Sequence, residues 1–412
     1  MNILYIVPYV PSQIYVRPYN LIKSLAARGH QVDLLTLAKT EDDFKAIQEI
    51  QPFCRDIHHF PLQIWRSLLN CILALPTSTP LQAAYSWQPE AANLLDRLLD
   101  QNNDISRPEI IHVEHLRGAN YGLHVEKFLA KGPDNRHLPI IWDSVDCITY
   151  LFKQASVHTK NRISRWLTRF DLSRTAQYEA RLVGQFDHIL VTSHTDKQAL
   201  SSLQTPELSN SKISIIPNGV DLDYFHPDIE INRESDTLVL TGKMSYHANI
   251  TTALYLVNEI MPIVWAKKPT AKLWIVGKDP PKSITILNSH PAITVTGTVK
   301  DVRPFLQGAS IAVTPLTYGA GMQNKVLQAM ACATPVVSSS IAINSLSVER
   351  GREVLVGDSA QEVAQGIIDL LDNPALREHI GQAGRRYVES HHQWSQIAAS
   401  LEEIYLNTIV KP

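Results

Sequence analysis

A glycine-bearing turn followed by a lysine is the feature of the sequence best suited to chemistry. Gly319 and Gly321 precede Lys325 within the stretch from Thr314 to Ala331, where a predicted strand ends and a predicted helix begins. Glycines let the backbone approach a ligand closely, and a helix start offers free N–H groups and the positive end of its dipole. With the charge of Lys325, these groups suit a diphosphate. The alternative is a tight turn with a solvated lysine, since short glycine patterns are weak signals.

The composition of the 412-residue chain narrows its function. Hydrophobic residues make up 44% and charged residues 19%, which is far from a disordered composition and sufficient for large cores. Lys and Arg total 38 against 40 Asp and Glu, and the net charge of −2 argues against a general nucleic-acid binder. We therefore expect no nucleic-acid partner, although a local basic patch stays open.

The cysteines and the apolar segments indicate where the protein works. The four cysteines are scattered, with no CxxC spacing, so they indicate reduced thiols in a cytoplasmic protein rather than a disulfide scaffold or a zinc site. No apolar run reaches the ~18–20 residues that cross a bilayer. The first residues lack the basic region and long apolar stretch of a signal peptide. We expect a soluble protein that at most lies on a membrane surface.

Short apolar runs separated by helical patterns predict the elements that would position the candidate residues. The first run, Ile3 to Val7, is followed by a helical pattern that Gly29 stops and then by a run from Val32 to Leu37. Strand–helix–strand units of this kind build parallel sheets. Further runs that fit buried strands are Ile110–Val113, Ile140–Trp142, Ile189–Thr192, Leu238–Leu240, Leu273–Val276, Ile293–Val295, Ile311–Val313 and Val336–Val337. The predicted fold class is α/β, with two doubly wound parallel sheets.

The second series of runs begins after the turn at Pro217 to Gly219, which predicts two domains. We expect an N-terminal Rossmann-like domain over 1–210, a linker over 211–235, a C-terminal Rossmann-like domain over 236–390 and a terminal helix within 391–412. Ligands of open α/β sheets bind at the carboxyl ends of the strands. The functional site is therefore expected in a cleft between the domains.

Three motifs resemble the retaining glycosyltransferases of family 4. They are KVLQAMACATPVV at 325–337, PNGVD at 217–221 and GTVKDV at 297–302. The resemblance covers nearly the whole chain and implies a GT-B fold, in which a terminal helix, here Trp394 to Leu406, crosses back to the first domain. It also implies an enzyme that moves a sugar from a nucleotide diphosphate donor to a glycan or lipid-linked acceptor.

The resemblance places the donor site on the second domain. Val299 and Asp301 match the loop that holds the nucleobase, and Lys243, after Gly242, would meet a donor phosphate. In the subgroup with a G-x-G-x-x-x-K turn, backbone N–H groups and the lysine, here Lys325, hold the diphosphate. The implied donor-binding residues are Gly242, Gly277, Val299, Asp301, Gly319, Ala320, Gly321, Met322, Gln323, Asn324 and Gln328.

The resemblance implies catalysis without a metal cofactor. Transfer on one face of the sugar, assisted by the leaving diphosphate, requires the protein to stabilise the departing charge. Lys243 and Lys325 would be the catalytic cations. Asp221-Leu222-Asp223 has the spacing of an Asp-x-Asp metal motif, but its place after the turn indicates a structural role.

Two positions depart from the family pattern. Many members carry two glutamates eight residues apart, one facing the donor sugar and one the ribose, and the matching residues here are Ala320 and Gln328. Gln328 can still form hydrogen bonds but brings no charge. The alternative function is therefore a catalytically silent GT-B protein that binds a nucleotide or a glycan, or that supports a partner enzyme. An epimerase or phosphorylase of this architecture would lack the glycine–lysine turn.

The acceptor side is expected at strand ends of the first domain. The family often has a histidine there that contacts the donor sugar, and either Glu114 or His115 matches; we favour His115 over a histidine that only caps the next turn. Asp143 could orient an acceptor hydroxyl, although capping a helix is the commoner role. Tyr15 and Arg17 lie in the acceptor-side loop, where turn packing is an equal alternative.

Two segments suggest an anionic membrane surface as a partner. Residues 151–183 contain seven Lys and Arg against Asp171 and Glu179, 7 − 2 = +5, with Trp166 and Phe170 at i, i+4. Residues 61–76 place apolar side chains at helical spacing. Together they would suit docking on anionic lipid at the inner face of the membrane, whereas the alternative is one solvated helix and one core helix.

Overall fold

The computed structural model describes residues 1–100, 107–131, 137–158, 162–204, 213–228, 230–318 and 321–410, with side chains at all of these except 155–158 and 162–167. The chain divides into two compact units. The first unit consists of Met1–Pro217 together with the C-terminal residues from Trp394, and the second unit consists of Asn218–Gln393. No helix among the described residues is long and apolar enough to cross a bilayer.

The first unit is built on a seven-stranded parallel sheet with the order β3-β2-β1-β4-β5-β6-β7. Its central strands β1 and β4 are buried on both faces, as expected for a parallel sheet covered by helices on both sides. The strands are β1 (Asn2–Val7), β2 (Gln31–Ala38), β3 (Asp56–Pro61), β4 (Ile110–Glu114), β5 (Ile140–Val145), β6 (His188–Val191) and β7 (Ile213–Ile215).

The helices of the first unit include one from the far end of the chain. They are α1 (Val16–Ala27), α2 (Glu41–Ile50), α3 (Ile64–Ala74), α4 (Leu81–Tyr85), α5 (Pro89–Asp100), α6 (His115–Leu129), α7 (Ile148–His158), α8 (Arg162–Gln185), α9 (His194–Ser201) and α18 (Trp394–Val410). Helix α18 buries Trp394, Ile397, Leu401 and Tyr405 in the same core as Leu21 of α1. This apolar face holds the last helix in the first unit.

The second unit contains a six-stranded parallel sheet with the order β10-β9-β8-β11-β12-β13. Its strands are β8 (Glu234–Thr241), β9 (Lys272–Val276), β10 (Ile293–Gly297), β11 (Ala309–Thr314), β12 (Val336–Ser338) and β13 (Leu355–Val356). Its helices are α10 (His247–Tyr255), α11 (Met261–Lys267), α12 (Lys282–Thr285), α13 (Arg303–Gly308), α14 (Asn324–Ala331), α15 (Ser340–Ile343), α16 (Ala360–Asp372) and α17 (Pro374–His391).

The prediction of two doubly wound parallel α/β sheets is confirmed. The segment expected as a linker, 211–235, contributes to both sheets among its described residues. Ile213–Ile215 forms β7 and pairs with β6, which extends the first sheet. Glu234, near the end of the segment, begins β8 of the second sheet. Strand β3 escaped the sequence analysis because its sequence, DIHHFP, is that of a polar edge strand.

Candidate functional site

The carboxyl edge of the second sheet brings two glycines into direct backbone contact. A Cβ on Gly277, after β9, would lie 1.7 Å from the carbonyl oxygen of Gly242, after β8. The backbone of Gly242 adopts φ +151°, and a Cβ there would lie 2.8 Å from the Nδ2 atom of Asn249. A side chain on Gly277 would therefore separate the two loops. Gly242 is favoured by its positive φ and by the space that Asn249 fills.

Lys325 reaches this crossing through Asn249, a residue the sequence analysis did not find. The ammonium of Lys325 donates a hydrogen bond to Asn249 Oδ1 at 2.5 Å, and Asn249 Nδ2 donates to the backbone carbonyl of Lys243 at 2.9 Å. Asn249 lies on α10 and is 7% exposed. Since no motif marked this asparagine, only its six-residue distance from Lys243 could have suggested it.

Burial sets the charge properties of Lys325. Desolvation lowers the pKa of its ammonium to about 8. Among the described residues, no carboxylate lies within 4.0 Å of this nitrogen. The Lys243 side chain is exposed, one loop away. A half-buried cation without a neutralising carboxylate favours an anionic ligand.

The turn that precedes α14 is fixed by side chains on both sides. Ser339 Oγ donates to the carbonyl of Leu316 at 2.7 Å, and the hydroxyl of Tyr318 contacts His247 Nδ1 at the start of α10. Gly321 has φ +74°, which favours glycine. Gly319 and Ala320 lie outside the described residues.

The other residues predicted on this turn divide between core and surface. Met322 is 8% exposed and packs in the core of the second unit, so only its backbone can face a ligand. The Nε2 atom of Gln323 donates to the carbonyl of Gly321 at 3.3 Å. Gln328 is half-buried and follows Lys325 by three residues on α14, which places both on one face of the helix.

The turn at Pro217 to Gly219 also supports α14. The Asn218 side chain donates to Oδ1 of Asn324, the first residue of α14, at 3.4 Å. His392 Nδ1 lies 2.7 Å from the Asn218 carbonyl oxygen, and its burial lowers the pKa of the imidazole. A neutral His392 with a protonated Nδ1 donates this bond, which fixes the turn beneath the start of α14.

The loop predicted to hold a nucleobase is organised around Asp301. Both Asp301 oxygens accept hydrogen bonds from Arg303, which lowers the pKa of the carboxyl, and the Tyr224 hydroxyl lies 3.2 Å away. The Arg303 guanidinium lies 3.9 Å from the centre of the Tyr224 ring. Val299 packs half-buried against the core. Asp301 therefore shapes the loop, and its carboxylate already has partners.

A second group of polar side chains lies at the carboxyl edge of the first sheet. Glu114, the last residue of β4, accepts hydrogen bonds from the hydroxyls of Tyr5 at 2.7 Å and Tyr9 at 2.6 Å. Its side chain is 1% exposed, and burial, with the nearby charge of Asp143, raises the pKa of Glu114 to about 7. This carboxyl can hold a proton near neutral pH.

Asp143 stays ionised because Arg17 pairs with it. The Arg17 Nε atom donates to Asp143 Oδ2 at 2.8 Å, and this pair holds the pKa of Asp143 below its usual range despite burial. Arg17 is 4% exposed and also donates to the carbonyls of Ile216 at 2.9 Å and Pro217 at 3.3 Å. Two of the predicted acceptor-side residues, Arg17 and Asp143, thus form a buried ion pair. Through Arg17 this pair also holds the backbone at Ile216 and Pro217, where the first segment of the unit ends.

The same cluster has the spacing of a metal site, with ligand atoms of His112, Glu114 and Asp143 within 4.8 Å of one another. Their existing partners do not fit a cation. His112 Nδ1 lies 2.7 Å from the Tyr405 hydroxyl. The hydroxyls of Tyr5 and Tyr9 donate to Glu114, and Arg17 already supplies a positive charge to Asp143. The cluster is therefore a proton-holding group next to an ion pair.

His115 begins α6 in a strained conformation. Its φ is +64°, and Val145 at the end of β5 has φ +66°. The Nδ1 atom of His115 accepts the Arg117 N–H at 3.3 Å, which leaves the proton on Nε2. Burial lowers the pKa of His115 to about 3, so the ring is neutral. The ring thus caps its own turn and presents one N–H donor.

Tyr15 is the exposed member of the predicted acceptor-side residues. It is 47% exposed, and its ring centre lies 4.5 Å from that of Tyr9, which in turn donates to Glu114. An aromatic pair therefore connects the surface of the first unit with the buried carboxyl. Such a ring can pack against the apolar face of a sugar.

Comparison with known proteins covers both units. Residues 16–224 match the family described as Glycosyltransferase Family 4, and residues 235–373 match that described as Glycosyl transferases group 1. An uncharacterized 44.6 kDa protein in the cps region of Klebsiella pneumoniae is 20% identical over 92% of each chain. One component of the human phosphatidylinositol N-acetylglucosaminyltransferase is 27% identical over 53% of this chain, which spans 46% of that relative.

Solved structures show the same fold. Sucrose-phosphate synthase from Thermosynechococcus elongatus superimposes with a TM-score of 0.69 at 17% identity, covering 100% of this chain and 99% of the other. HepE of Anabaena, solved with UDP and glucose, gives 0.66 at 12% identity, covering 99% and 100%. The predicted GT-B fold and the expected glycosyltransferase activity are both confirmed. With one family match spanning half of its length, the chain belongs to glycosyltransferase family 4 and is a sugar-transferring enzyme.

Proposed function

We propose that the protein is a retaining, metal-independent glycosyltransferase that moves a sugar from a nucleoside diphosphate donor to a glycan or a lipid-linked acceptor. The observation that carries this proposal is the half-buried Lys325 ammonium beside the crossing of Gly242 and Gly277. That cation lies one residue into α14, where free N–H groups add positive potential. A diphosphate is an anion that suits such a positively charged loop cluster.

In the reaction we propose, negative charge develops on the leaving diphosphate, next to the cationic groups of the loop cluster. The bond between the anomeric carbon and the diphosphate oxygen breaks, and the acceptor oxygen bonds to the same face of that carbon. The acceptor proton passes to a diphosphate oxygen. Lys325, Lys243 and the start of α14 stabilise the departing negative charge, which grows in the transition state. The neutral His115 offers its Nε2 proton to a hydroxyl of the donor sugar.

The acceptor side is proposed at the edge of the first sheet. The exposed ring of Tyr15 gives an apolar sugar face a surface to pack against. Glu114, whose pKa is about 7, can take up and release a proton while it is hydrogen-bonded to the hydroxyls of Tyr5 and Tyr9. A lipid-linked acceptor is supported by the human relative, whose name specifies phosphatidylinositol. A uridine nucleotide is supported by the ligand of HepE.

The catalytically silent alternative rests on Ala320 and Gln328 in place of two glutamates. Gln328 shares a helix face with Lys325 and can donate to or accept from a ribose hydroxyl. The human relative, whose name is that of a transferase, does not favour this alternative.

The proposal is tested by nucleotide binding and then by turnover. Wild type, Lys325→Ala and the control Lys282→Ala, an exposed lysine on α12, are melted with UDP, GDP, ADP or CMP. Ligand at ~100 times its dissociation constant adds roughly 2.7 kcal/mol. We expect one nucleotide to stabilise wild type and the control but not Lys325→Ala.

Turnover with the corresponding sugar nucleotide is then followed as nucleoside diphosphate release in the presence of a chelator, with a membrane or glycan extract as acceptor. The anomeric configuration of the product is read by NMR. Release that needs added metal, or a product with inverted configuration, contradicts the proposed mechanism. Nucleotide binding without release from any donor would support the silent alternative.

A further inference from the structure

Helix α3 exposes a continuous apolar face to solvent. Its apolar side chains form two adjoining stripes of i, i+4 spacing, so the exposed groups lie side by side. Exposed fractions reach 61% for Trp65, 60% for Ile72 and 63% for Leu73. The residues of this face are Ile64, Trp65, Leu68, Leu69, Ile72, Leu73 and Leu75. Scattered apolar residues are normal on a surface, but a contiguous patch of this kind marks an interaction site.

The apolar face is held firmly in place. Arg174 of α8 donates to the carbonyls of Thr77 at 2.8 Å and Thr79 at 2.6 Å and also bonds the carbonyl of Ala74, the last residue of α3. Near the other end, Arg66 pairs with Glu90 of α5 at 2.6 Å. These polar contacts fix α3 by its ends and leave the apolar stripes outward.

A pocket with basic side chains adjoins this face. It has a volume of about 420 Å³ and lies between α3, α6 and α8. Leu73 and Leu123 supply apolar lining, while Lys127 and Arg181 supply cations. His124 also lines it, but that ring pairs with Asp96 at 2.7 Å. Among the described lining residues there is no carboxylate, so the pocket suits an anion attached to an apolar body.

The acidic residues of α8 do not neutralise this surface. Asp171 is 4% exposed and accepts the Leu81 N–H at 3.1 Å, and Glu179 is fully buried and accepts the Ile148 N–H at 2.8 Å. Both carboxylates are therefore used inside the unit to hold helix starts. Arg181, an exposed cation of the same helix, lines the pocket together with Leu73 of α3, and its own helix supplies no acid to pair with it.

We propose that α3 docks the protein on an anionic phospholipid membrane. The apolar side chains of α3 enter the boundary between headgroups and acyl chains, and Lys127 and Arg181 hold a lipid phosphate at the pocket. An amphipathic helix lying in the interface binds through apolar area together with attraction to anionic lipid, and both components are present here.

The test is sedimentation of the full chain with vesicles. Vesicles of phosphatidylcholine alone are compared with vesicles that also contain phosphatidylglycerol. Leu68→Glu with Ile72→Glu tests the apolar face, and Ile286→Glu, at 63% exposure in the second unit, is the matched control. We expect binding to the mixed vesicles to weaken at least about tenfold in the double variant and to stay unchanged in the control.

The charged pocket is tested by Lys127→Ala with Arg181→Ala, for which Lys282→Ala is the control. We expect this pair to reduce binding to mixed vesicles to the level seen with phosphatidylcholine alone. The fluorescence of wild type should shift to shorter wavelength on binding, and Trp65→Phe should lose that shift while still sedimenting. Melting curves verify that each variant is folded.

Three outcomes would overturn the proposal. If the wild-type protein sediments with neither kind of vesicle, it does not bind these membranes. If the variants sediment like wild type, α3 does not take part in membrane binding. A dimer in solution that Leu68→Glu with Ile72→Glu dissociates would assign the face to a second copy of the chain. Because no assay uses a sugar donor, failure here is independent of the proposed transfer.

Discussion

The amide oxygen of Asn249 accepts a hydrogen bond from Lys325, so a residue outside any recognised motif fixes the cation of the proposed donor site. The amide nitrogen of the same side chain holds the Lys243 carbonyl. One asparagine thus connects the loop after β8 with the start of α14. The position of the ammonium therefore depends on that side chain.

The first prediction concerns Asn249. Changing Asn249→Ala removes the acceptor for Lys325 and weakens nucleotide affinity by about tenfold, the size of one hydrogen bond to a charged group. Asn249→Asp places a carboxylate against the ammonium and competes with the nucleotide for it, so affinity falls further. Isothermal titration with the stabilising nucleotide measures both. Equal affinity in all three proteins would remove Asn249 from the site.

The second prediction is a pH dependence of nucleotide binding. The pKa of Lys325 in the free protein is about 8, and a bound diphosphate raises it. Above pH 8 the free ammonium loses its proton and binding must take one up, so affinity falls by about tenfold per pH unit. Titrations in two buffers of different ionisation heat count the protons. Lys325→Arg, always charged, should bind with no such slope, and a slope retained in that variant would contradict the assignment.

The third prediction concerns stability. Glu114 has a pKa raised to about 7, so the folded state binds more protons than the unfolded state between about pH 4.5 and 7. Stability from this group is therefore present at low pH and is lost as pH rises through 7. Glu114→Gln keeps an acceptor oxygen for one tyrosine and presents its NH2 group to the other, whose hydroxyl oxygen can accept. It should stabilise the protein at pH 8 by about 2–3 kcal/mol, with little effect at pH 5.

Urea unfolding at the two pH values measures the effect of Glu114→Gln. Tyr5→Phe removes one of the donors without removing the carboxyl and serves as the comparison. It should destabilise at both pH values, because Glu114 then loses a partner. A variant Glu114→Gln that destabilises more at pH 8 than at pH 5 would show that the carboxylate is ionised in the fold.

The fourth prediction compares the loss of stability caused by an alanine at two different glycine positions. Gly277→Ala drives a methyl group to 1.7 Å from the Gly242 carbonyl oxygen and should cost more than about 4 kcal/mol, or prevent folding of the second unit. Gly297→Ala meets no atom within 4 Å and suffers only its φ of +68°, at a cost of about 1–2 kcal/mol. Thermal melting of both variants makes the comparison. Similar losses in the two would contradict the crossing described here.

Local patterns predicted the parts of the fold that are local in origin, since apolar runs such as Ile3 to Val7 indicated buried strands. Gly242 and Gly277 were indicated by the family resemblance, and the close crossing of their two loops emerged only from the structure. The partners of Glu114 and His112 were out of reach, because Tyr405 lies 293 residues from the histidine it contacts. Such pairs are set by the packing of whole elements, and no spacing along the chain encodes them.

The return of α18 to the first unit has a consequence for synthesis on the ribosome. The second unit is one unbroken stretch, Asn218–Gln393, whereas the first unit needs Trp394, Leu401 and Tyr405 to cover its core. On a nascent chain, all residues of the second unit are therefore synthesised before the first unit receives the seventeen-residue helix α18. During that interval the apolar face of α1 that α18 covers is exposed to solvent.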